Sequence, residues 1–296
     1  NIRNNLNGSS DKFSYQTSVS LNWSRNDVPG SVGTTGINRN PFFGAYSALP
    51  YLDPDGVTDE QLNNNIIFPF SPYMIGNNFR TQFRTVDELK LIANVGGTYN
   101  FTDELSASVN TGVDYTSTSF LFWSTADNFS EVLFNPTSGG FNDQNSRRRA
   151  ALNTTANITW NKTIDKHSIS AGVFTEYFKA HLRDFGFGQQ GVNDKTFEGG
   201  DSRGFISDNQ DNDLFVPTVF ATKRDAGLFS YFANVTYDYD SRFGFEATVR
   251  RDASYRFATT NRWGTFGSVS GRWNIDAESW MADSVINSLK LRASYG

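Results

Sequence analysis

The chain has no cysteine, two histidines, two methionines and no long apolar run in its 296 residues. Zero cysteine removes disulfide scaffolds, thiolate zinc sites and thiol catalysis together. The two histidines, His167 and His181, fall at opposite ends of one expected strand and cannot form a metal pair or a dyad with each other. Charge of one sign is also lacking. Lys and Arg number 26 against 31 Asp and Glu, a net charge of −5, which argues against the clustered basic excess of a nucleic-acid surface. The most apolar stretch, 66–75, carries Pro69, Ser71 and Pro72 and falls well short of the roughly 20 apolar residues of a helical span. The opening Asn1-Ile2-Arg3-Asn4-Asn5 lacks the basic start and apolar core of a signal peptide, so it reads as a processed start or an internal piece of a longer protein. Helical periodicity is almost absent over ten residues or more, with short helical turns expected only near 60–65 and 278–284.

What the chain does have is aromatic residues, 15% of the total, combined with a polar mean hydropathy of −0.48. Strict alternation reconciles the two. In residues 12–24, Phe13, Tyr15, Thr17, Val19, Leu21 and Trp23 take the odd positions and Ser14, Gln16, Ser18, Ser20, Asn22 and Ser24 the even ones. Successive strand side chains point to opposite faces, so this is a strand with one apolar and one small-polar face. Leu89 to Phe101, Leu105 to Tyr115 and Arg149 to Asn161 repeat the pattern. Further strands are expected near 167–182, 226–238, 243–252, 262–275 and 288–296, with a partial one at 2–7. That makes ten, the first and last apparently cut.

The connections alternate in length. Short turns sit at 8–11, 102–104, 163–166 and 239–242, with a somewhat longer one at 276–287; long segments occupy 25–87, 124–147, 184–225 and 253–261. Short turns on one side and long loops on the other are the layout of an outer-membrane β-barrel. The aromatics agree with it. Phe13, Tyr15, Tyr99, Phe101, Trp160, Tyr237, Phe243, Phe245 and Trp273 lie near short turns in the outward phase, and Trp23, Trp123, Tyr177 and Trp263 near the long-loop ends. Two aromatic bands bordering an apolar belt are the girdles of a barrel in lipid. A soluble up-and-down barrel with inward aromatics is the rival, and the consistent Ser, Asn and Thr of the other face weighs against it. Lipid offers no hydrogen-bond partners, so a spanning sheet must close on itself. With both end strands cut, residues 1–296 read as a partial outer-membrane barrel domain of an all-β, antiparallel transmembrane fold.

Residues 231–296 carry a recognisable succession: Arg250-Arg251-Asp252-Ala253-Ser254-Tyr255-Arg256-Phe257, then Asn261-Arg262-Trp263-Gly264, then Phe266, Ser268-Val269-Ser270 and Trp273, closing on Leu289-Lys290-Leu291-Arg292-Ala293-Ser294-Tyr295-Gly296. It resembles the SusC/RagA-like TonB-dependent outer-membrane transporters. Trp160-Asn161-Lys162-Thr163 with Lys166 to Gly172 is similar to the family too, and more weakly the loop from Asn40-Pro41 to Asp53-Pro54-Asp55-Gly56. Ala253 stands where the family usually has Gly, and Gly267 where it usually has Pro; these are expected at a loop tip and a strand entrance. The resemblance implies a 22-stranded barrel in a bacterial outer membrane, with a plug and a TonB-contacting segment that this chain does not contain. It also implies import of an oligosaccharide or peptide, a SusD-like surface lipoprotein as partner, the TonB complex as energy source, and no enzymatic activity.

Several motifs invite other readings. Gly186-Phe187-Gly188-Gln189-Gln190-Gly191 fits a dinucleotide fingerprint, but it is expected to open a polar loop with no helix behind it. Asp53 and Asp55, and Asp208, Asp211 and Asp213, offer oxygen ligands for calcium without EF-hand spacing; solvated loop residues are the simpler account. Eight N-x-S/T triplets follow from alternation, since positions i and i+2 share the Asn/Ser/Thr face. No cofactor, catalytic or nucleic-acid site is expected. Outer-membrane lipids are expected against the apolar face. Candidate plug contacts in the lumen phase are Lys90, Asp114, Arg149, Glu176, Asp238, Glu246, Arg250, Arg272, Lys290 and Arg292, with a merely solvated interior as the alternative. Candidate loop contacts to partner or substrate are Phe42, Phe43 and Tyr46, Phe129, Phe134 and Phe141, and Phe185, Phe187, Phe197 and Phe215. Beside import stand two other functions, a docking barrel of a larger surface assembly and a passive porin.

Overall fold

In the computed structural model the chain forms one antiparallel sheet of ten strands in sequence order, β1 to β10, with β1 and β10 at its two edges. The structure describes residues 1–29, 42, 46, 71–134, 137, 139–192, 195–196, 217–281 and 284–296. The strands are β1 Ile2–Ser9, β2 Phe13–Pro29, β3 Gln82–Asn100, β4 Leu105–Ser124, β5 Phe141–Ile164, β6 His167–Gln190, β7 Thr218–Tyr239, β8 Phe243–Ser254, β9 Trp263–Asn274 and β10 Lys290–Tyr295. Among the described residues of the long connections lie the helices α1 Ser71–Thr81 and α2 Phe129–Phe134. No helix among the described residues is long and apolar enough to cross a membrane.

Register fixes the faces. Val19 pairs with Ala93, Ala93 with Val113, and Val113 with Leu152. Farther along, Ile158 pairs with Val173, Val173 with Ala233, Ala233 with Val249 and Val249 with Gly267. Paired residues share a face, so the apolar set of every strand lies on one side of the sheet. Val95, Val109, Ile158, Val173 and Val249 are each 47–57% exposed there. Water does not tolerate a continuous apolar face of this extent, whereas the hydrocarbon of a bilayer requires one. Between the short turns and the upper aromatic rows this face carries two charged side chains: Lys162, next to the 163–166 turn and paired with Glu104 at 3.2 Å, and Arg251, whose guanidinium lies 5.1 Å over the Trp263 ring.

The opposite face is mostly polar, with a few apolar side chains such as Ile92, Phe174 and Phe232 among its hydroxyls, amides and charges. Asn94 Nδ2 donates to Ser18 Oγ at 3.3 Å, Thr98 and Ser108 hydroxyls meet at 2.9 Å, and Ser106 and Thr159 at 3.0 Å. Glycines let long side chains pass along it. A Cβ on Gly244 would sit 3.2 Å from the Arg272 guanidinium, which lies across it to reach Asp238.

Three sequence expectations need correction. Strands run farther into the long connections than alternation indicates: β5 and β6 each have 24 residues and β7 has 22. The connections at 124–147 and 184–225 therefore shrink to 125–140 and 191–217. Above the bilayer both faces meet water, so the apolar signal fades while the hydrogen-bonded ladder continues. As a consequence the glycine-rich run from Gly186 lies in β6 rather than in a loop, and a Cβ at Gly186 would collide with the backbone carbonyl of Gln144, while one at Gly188 would displace the Asp143 carboxylate. Ala253 likewise is not at a loop tip but in β8, 7% exposed and opposite Trp263, while Gly267 stands inside β9 opposite Val249. Finally, α1 is a full helix of 11 residues where none is expected; its Ser71-Pro72 opening suits a helix start, because proline at the first turn loses no intrahelical bond.

The short turns are tightly made. Asp240 and Ser241 both adopt positive φ, 51° and 56°, and Arg242 N–H donates to Tyr239 C=O at 2.8 Å. This is the twist-matched hairpin turn that such φ values define. Lys166 Nζ bonds Asp240 at 2.7 Å, and that bond holds the Lys166 ammonium above its ordinary pKa. The expected helical turn at 278–284 is a 3₁₀ turn, Ser279–Met281; the one at 60–65 lies outside the described residues.

Candidate functional site

The candidate site is the polar inner face with the loop bases above it. All ten candidate lumen residues fall on this face: Lys90, Asp114, Arg149, Glu176, Asp238, Glu246, Arg250, Arg272, Lys290 and Arg292. Register brings most of them together. Arg250 spans β7 to reach Glu176 at 2.5 Å, bonds Asp252 at 2.7 Å, and lies 4.9 Å over the Phe232 ring. Phe232 in turn stacks on Phe174 with centroids 4.7 Å apart. Arg272 pairs with Asp238 across Gly244. Lys90 approaches Asp114 at 3.8 Å, and Glu246 accepts from Asn234 at 3.2 Å. Arg149, Lys290 and Arg292 stand on the same face, Arg292 directly opposite Arg272. At greater height Arg147 pairs with its cross-strand partner Asp184 at 2.6 Å. The result is a charged, hydrogen-bonding wall with an aromatic stack at its middle.

The thirteen candidate girdle residues also share a side, the apolar one. Near the short turns Phe13 faces Tyr99, Tyr237 faces Phe245, and Phe243 faces Trp273. Phe101 packs edge-on to Tyr99 at 5.0 Å, Tyr15 stacks on Phe13 at 6.1 Å, and Trp160 faces Ala171. At the other end Tyr177 faces Phe229, Trp263 contacts Phe229 and Tyr231, and Trp23 faces Leu89. Trp123 stands higher, at the far end of β4, stacked 4.6 Å from Phe83.

The loop aromatics divide. Phe42 and Tyr46 are 85% and 94% exposed. Phe129 is instead 2% exposed, at the start of α2, and offers no ring to a partner. Phe141 belongs to β5 and meets Phe122 edge-on at 4.9 Å. Phe185 and Phe187 belong to β6, on the apolar side, rather than to a loop. Phe134 lies in α2. Phe43, Phe197 and Phe215, and the acidic residues Asp53, Asp55, Asp208, Asp211 and Asp213, lie outside the described residues.

Sequence reasoning missed two clusters. One joins α1 to α2: Asn77 Oδ1 accepts from Phe129 N–H at 2.9 Å, and Asn128 Nδ2 donates to Asn78 Oδ1 at 2.9 Å and Thr81 Oγ1 at 2.8 Å. All four polar residues are buried, and buried amides are held this firmly only when their bonds are made. The base of two long connections is thereby fixed on β3 and β4. The second cluster is on the short-turn side. Glu278 accepts from Arg242 and, at 3.0 Å, from Trp273 Nε1; these donors hold its carboxyl below the ordinary carboxylate range and pin the β9–β10 connection to the β7–β8 turn. No group of metal ligands is present among the described residues.

A ten-stranded sheet with a lipid-facing apolar side, aromatic borders and a charged inner side is the wall of an outer-membrane β-barrel. No protein-family profile matches the chain. It is 33% identical to the TonB-dependent receptor SusC of Bacteroides thetaiotaomicron over 146 residues, covering 46% of this chain and 14% of SusC. A TonB-dependent receptor of Formosa agariphila matches at 44% identity over 69 residues, 23% of this chain and 7% of that protein. Among solved structures the RagAB peptide transporter superposes with a TM-score of 0.74 at 18% identity, covering 99% of this chain and 32% of the other; its open-open state gives 0.72. Over about half its length the chain is similar in sequence to SusC and other TonB-dependent receptors, its fold is that of a bacterial outer-membrane barrel wall, and it spans about a third of the solved chains that share that fold and 14% of SusC.

Proposed function

We propose that this chain forms part of the wall of a TonB-dependent importer for a large nutrient, an oligosaccharide or a peptide, working with a SusD-like surface lipoprotein. The 33% identity to SusC over 146 residues carries the reading, and the fold shared with the RagAB peptide transporter supports it. In this reading the ten strands belong to a 22-stranded barrel whose plug and TonB-contacting segment lie outside residues 1–296. The inner-face ion pairs hold the plug by exchanging partners with it, because charge-assisted bonds are strong yet replaceable one for one. The wide barrel passes a solute too large for porins only when the plug is pulled aside. Phe42 and Tyr46, exposed in the first long connection, suit a partner contact, since aromatic side chains are the usual anchors of interfaces and also stack on sugar rings.

The test is uptake by cells carrying the complete gene, with and without TonB, and with residues 30–80 deleted. Import is expected to stop without TonB and to fall when the first loop is removed. Unchanged uptake without TonB makes the protein a porin. No uptake of any glycan or peptide, alongside stable co-purification with a surface complex, makes it a docking barrel.

A further inference from the structure

On the apolar side of the wall, above the upper aromatic row, Arg148 of β5 lies directly opposite Arg183 of β6, and Arg183 directly opposite Lys223 of β7. Directly opposed side chains start about 5 Å apart at Cβ, and like charges so placed repel. Lys179 lies below them on β6, opposite Leu152, with His181 between. Among the described residues of β4 to β8, Asp225 is the only carboxylate on this side. It is already engaged by His181 Nδ1 at 2.5 Å and by Lys223 Nζ at 4.0 Å. The inner face at the same height is treated differently, since Arg147 has Asp184 as its cross-strand partner at 2.6 Å. So is the other sector of the apolar side, where Arg25 stands opposite Asp87 and bonds Asp27. The cationic excess is therefore local to β5–β7, where the backbones of Arg148 and Arg183 are paired on both sides and that of Lys223 is paired with β6.

Height identifies the occupant. Arg183 is six residues above Tyr177 on β6, about 15 Å along the barrel axis at a usual strand rise and tilt, and Lys179 is about 5 Å above it. Long basic side chains reach several ångströms from their Cα. The row thus spans the headgroup layer, with the apolar belt of Val173 and Thr175 directly beneath it on the same strand. A molecule that fills both levels must carry acyl chains below and anionic groups above, and the planar arginine fork matches phosphate oxygens. We propose that Arg148, Arg183 and Lys223, with Lys179 beneath them, bind the phosphate-bearing headgroup of an outer-leaflet lipid.

The complete receptor, purified and stripped of lipid in a mild detergent, tests this with bisphosphorylated lipid A as the probe. Binding is read by native mass spectrometry against dephosphorylated lipid A. The wild type is expected to prefer the phosphorylated form, and the triple variant R148Q/R183Q/K223Q to lose at least about tenfold in affinity, because each lost charge-assisted bond is worth that much or more. R25Q, in the other sector, should bind as the wild type does. Heat-modifiable migration on a gel checks that the variant is a folded barrel. If it is not, the double variant R148K/R183K, which keeps the charge and loses the fork, takes its place with a smaller expected loss. Equal binding of both lipid A forms, unchanged affinity in a folded triple variant, or complete displacement by millimolar inorganic phosphate would each overturn the proposal, the last by showing a free-anion site.

Discussion

Between the short turns and the upper aromatic rows, the apolar side of the sheet carries two charged side chains, Lys162 beside a turn, where Glu104 pairs with it, and Arg251, which is laid over an indole. At the same heights the inner side carries Lys90, Asp114, Glu176, Asp238, Glu246, Arg250 and Arg272, six of the seven joined in ion pairs and Glu246 accepting from Asn234. One backbone thus serves two solvents. Hydrocarbon excludes charge outright, whereas a wet interior tolerates charges and lets them find partners across strands. Higher up, where β5–β7 rise out of the bilayer, the distinction lapses and charges reappear on both sides. The placement of charge therefore reports the position of the membrane as clearly as the aromatic rows do.

The sharpest way to break this comparison is to put charge on the wrong side. Val173→Arg, at a residue 56% exposed on the apolar side, is expected to cost roughly 2–4 kcal/mol near the bilayer midplane. Asn153→Arg, on the inner side, should cost far less. Denaturant titration of the complete receptor folded into vesicles measures both, and equal costs would mean that the two sides are wrongly assigned.

Next in size is a backbone constraint at the loop base. Gly140 has φ +78°, and a Cβ there would lie 2.6 Å from Ser124 O. Gly140→Ala is expected to destabilise by about 1–3 kcal/mol and to show first as increased protease cleavage within 125–140.

A smaller effect is expected on the inner side itself. Glu176→Gln removes one carboxylate from the Arg250 network, whose side chains are about one-third exposed. Water screens such pairs, so the loss should be about 1 kcal/mol or less. A double-mutant cycle with Arg250→Gln isolates the coupling, and a value near zero would leave Arg250 held by Asp252 and the Phe232 ring alone.

Two turn clusters give opposite pH signatures. Glu278 has its carboxyl held down by Arg242 and Trp273, so its contribution is present above the unfolded carboxylate value and lost as pH falls through the lower folded one. Lys166 has its ammonium held up by Asp240, so its contribution is present below the ordinary lysine value and lost as pH rises through the higher folded one. Glu278→Gln should flatten the acid limb of the stability profile and leave the alkaline limb unchanged.

The legible part of the fold was legible because a period of two survives any tertiary context. Phe13 to Ser24 alternate whatever lies beside them, and the sheet that results puts the aromatic candidates on one side and the ten charged candidates on the other. Strand length above the bilayer was illegible because Arg147-Arg148-Arg149 and Lys223-Arg224-Asp225 have no apolar phase to read, although both lie within strands. The buried Asn77, Asn78, Thr81 and Asn128 gave no signal either, since asparagine and threonine are ordinary loop residues until two connections close on one another.

Sequence alone determined the sidedness of the sheet, because the bilayer selects each side chain by its own polarity. Only the tertiary structure decided which charges become partners. Glu176 and Arg250 are 74 residues apart in the chain, and nothing in their local sequence links them. Antiparallel register across β7 brings them to 2.5 Å, because a ladder fixes neighbours by counting from its turns. The same counting sets Arg148, Arg183 and Lys223 in one row. Each is an unremarkable surface cation by sequence, and only their adjacency makes an anion site.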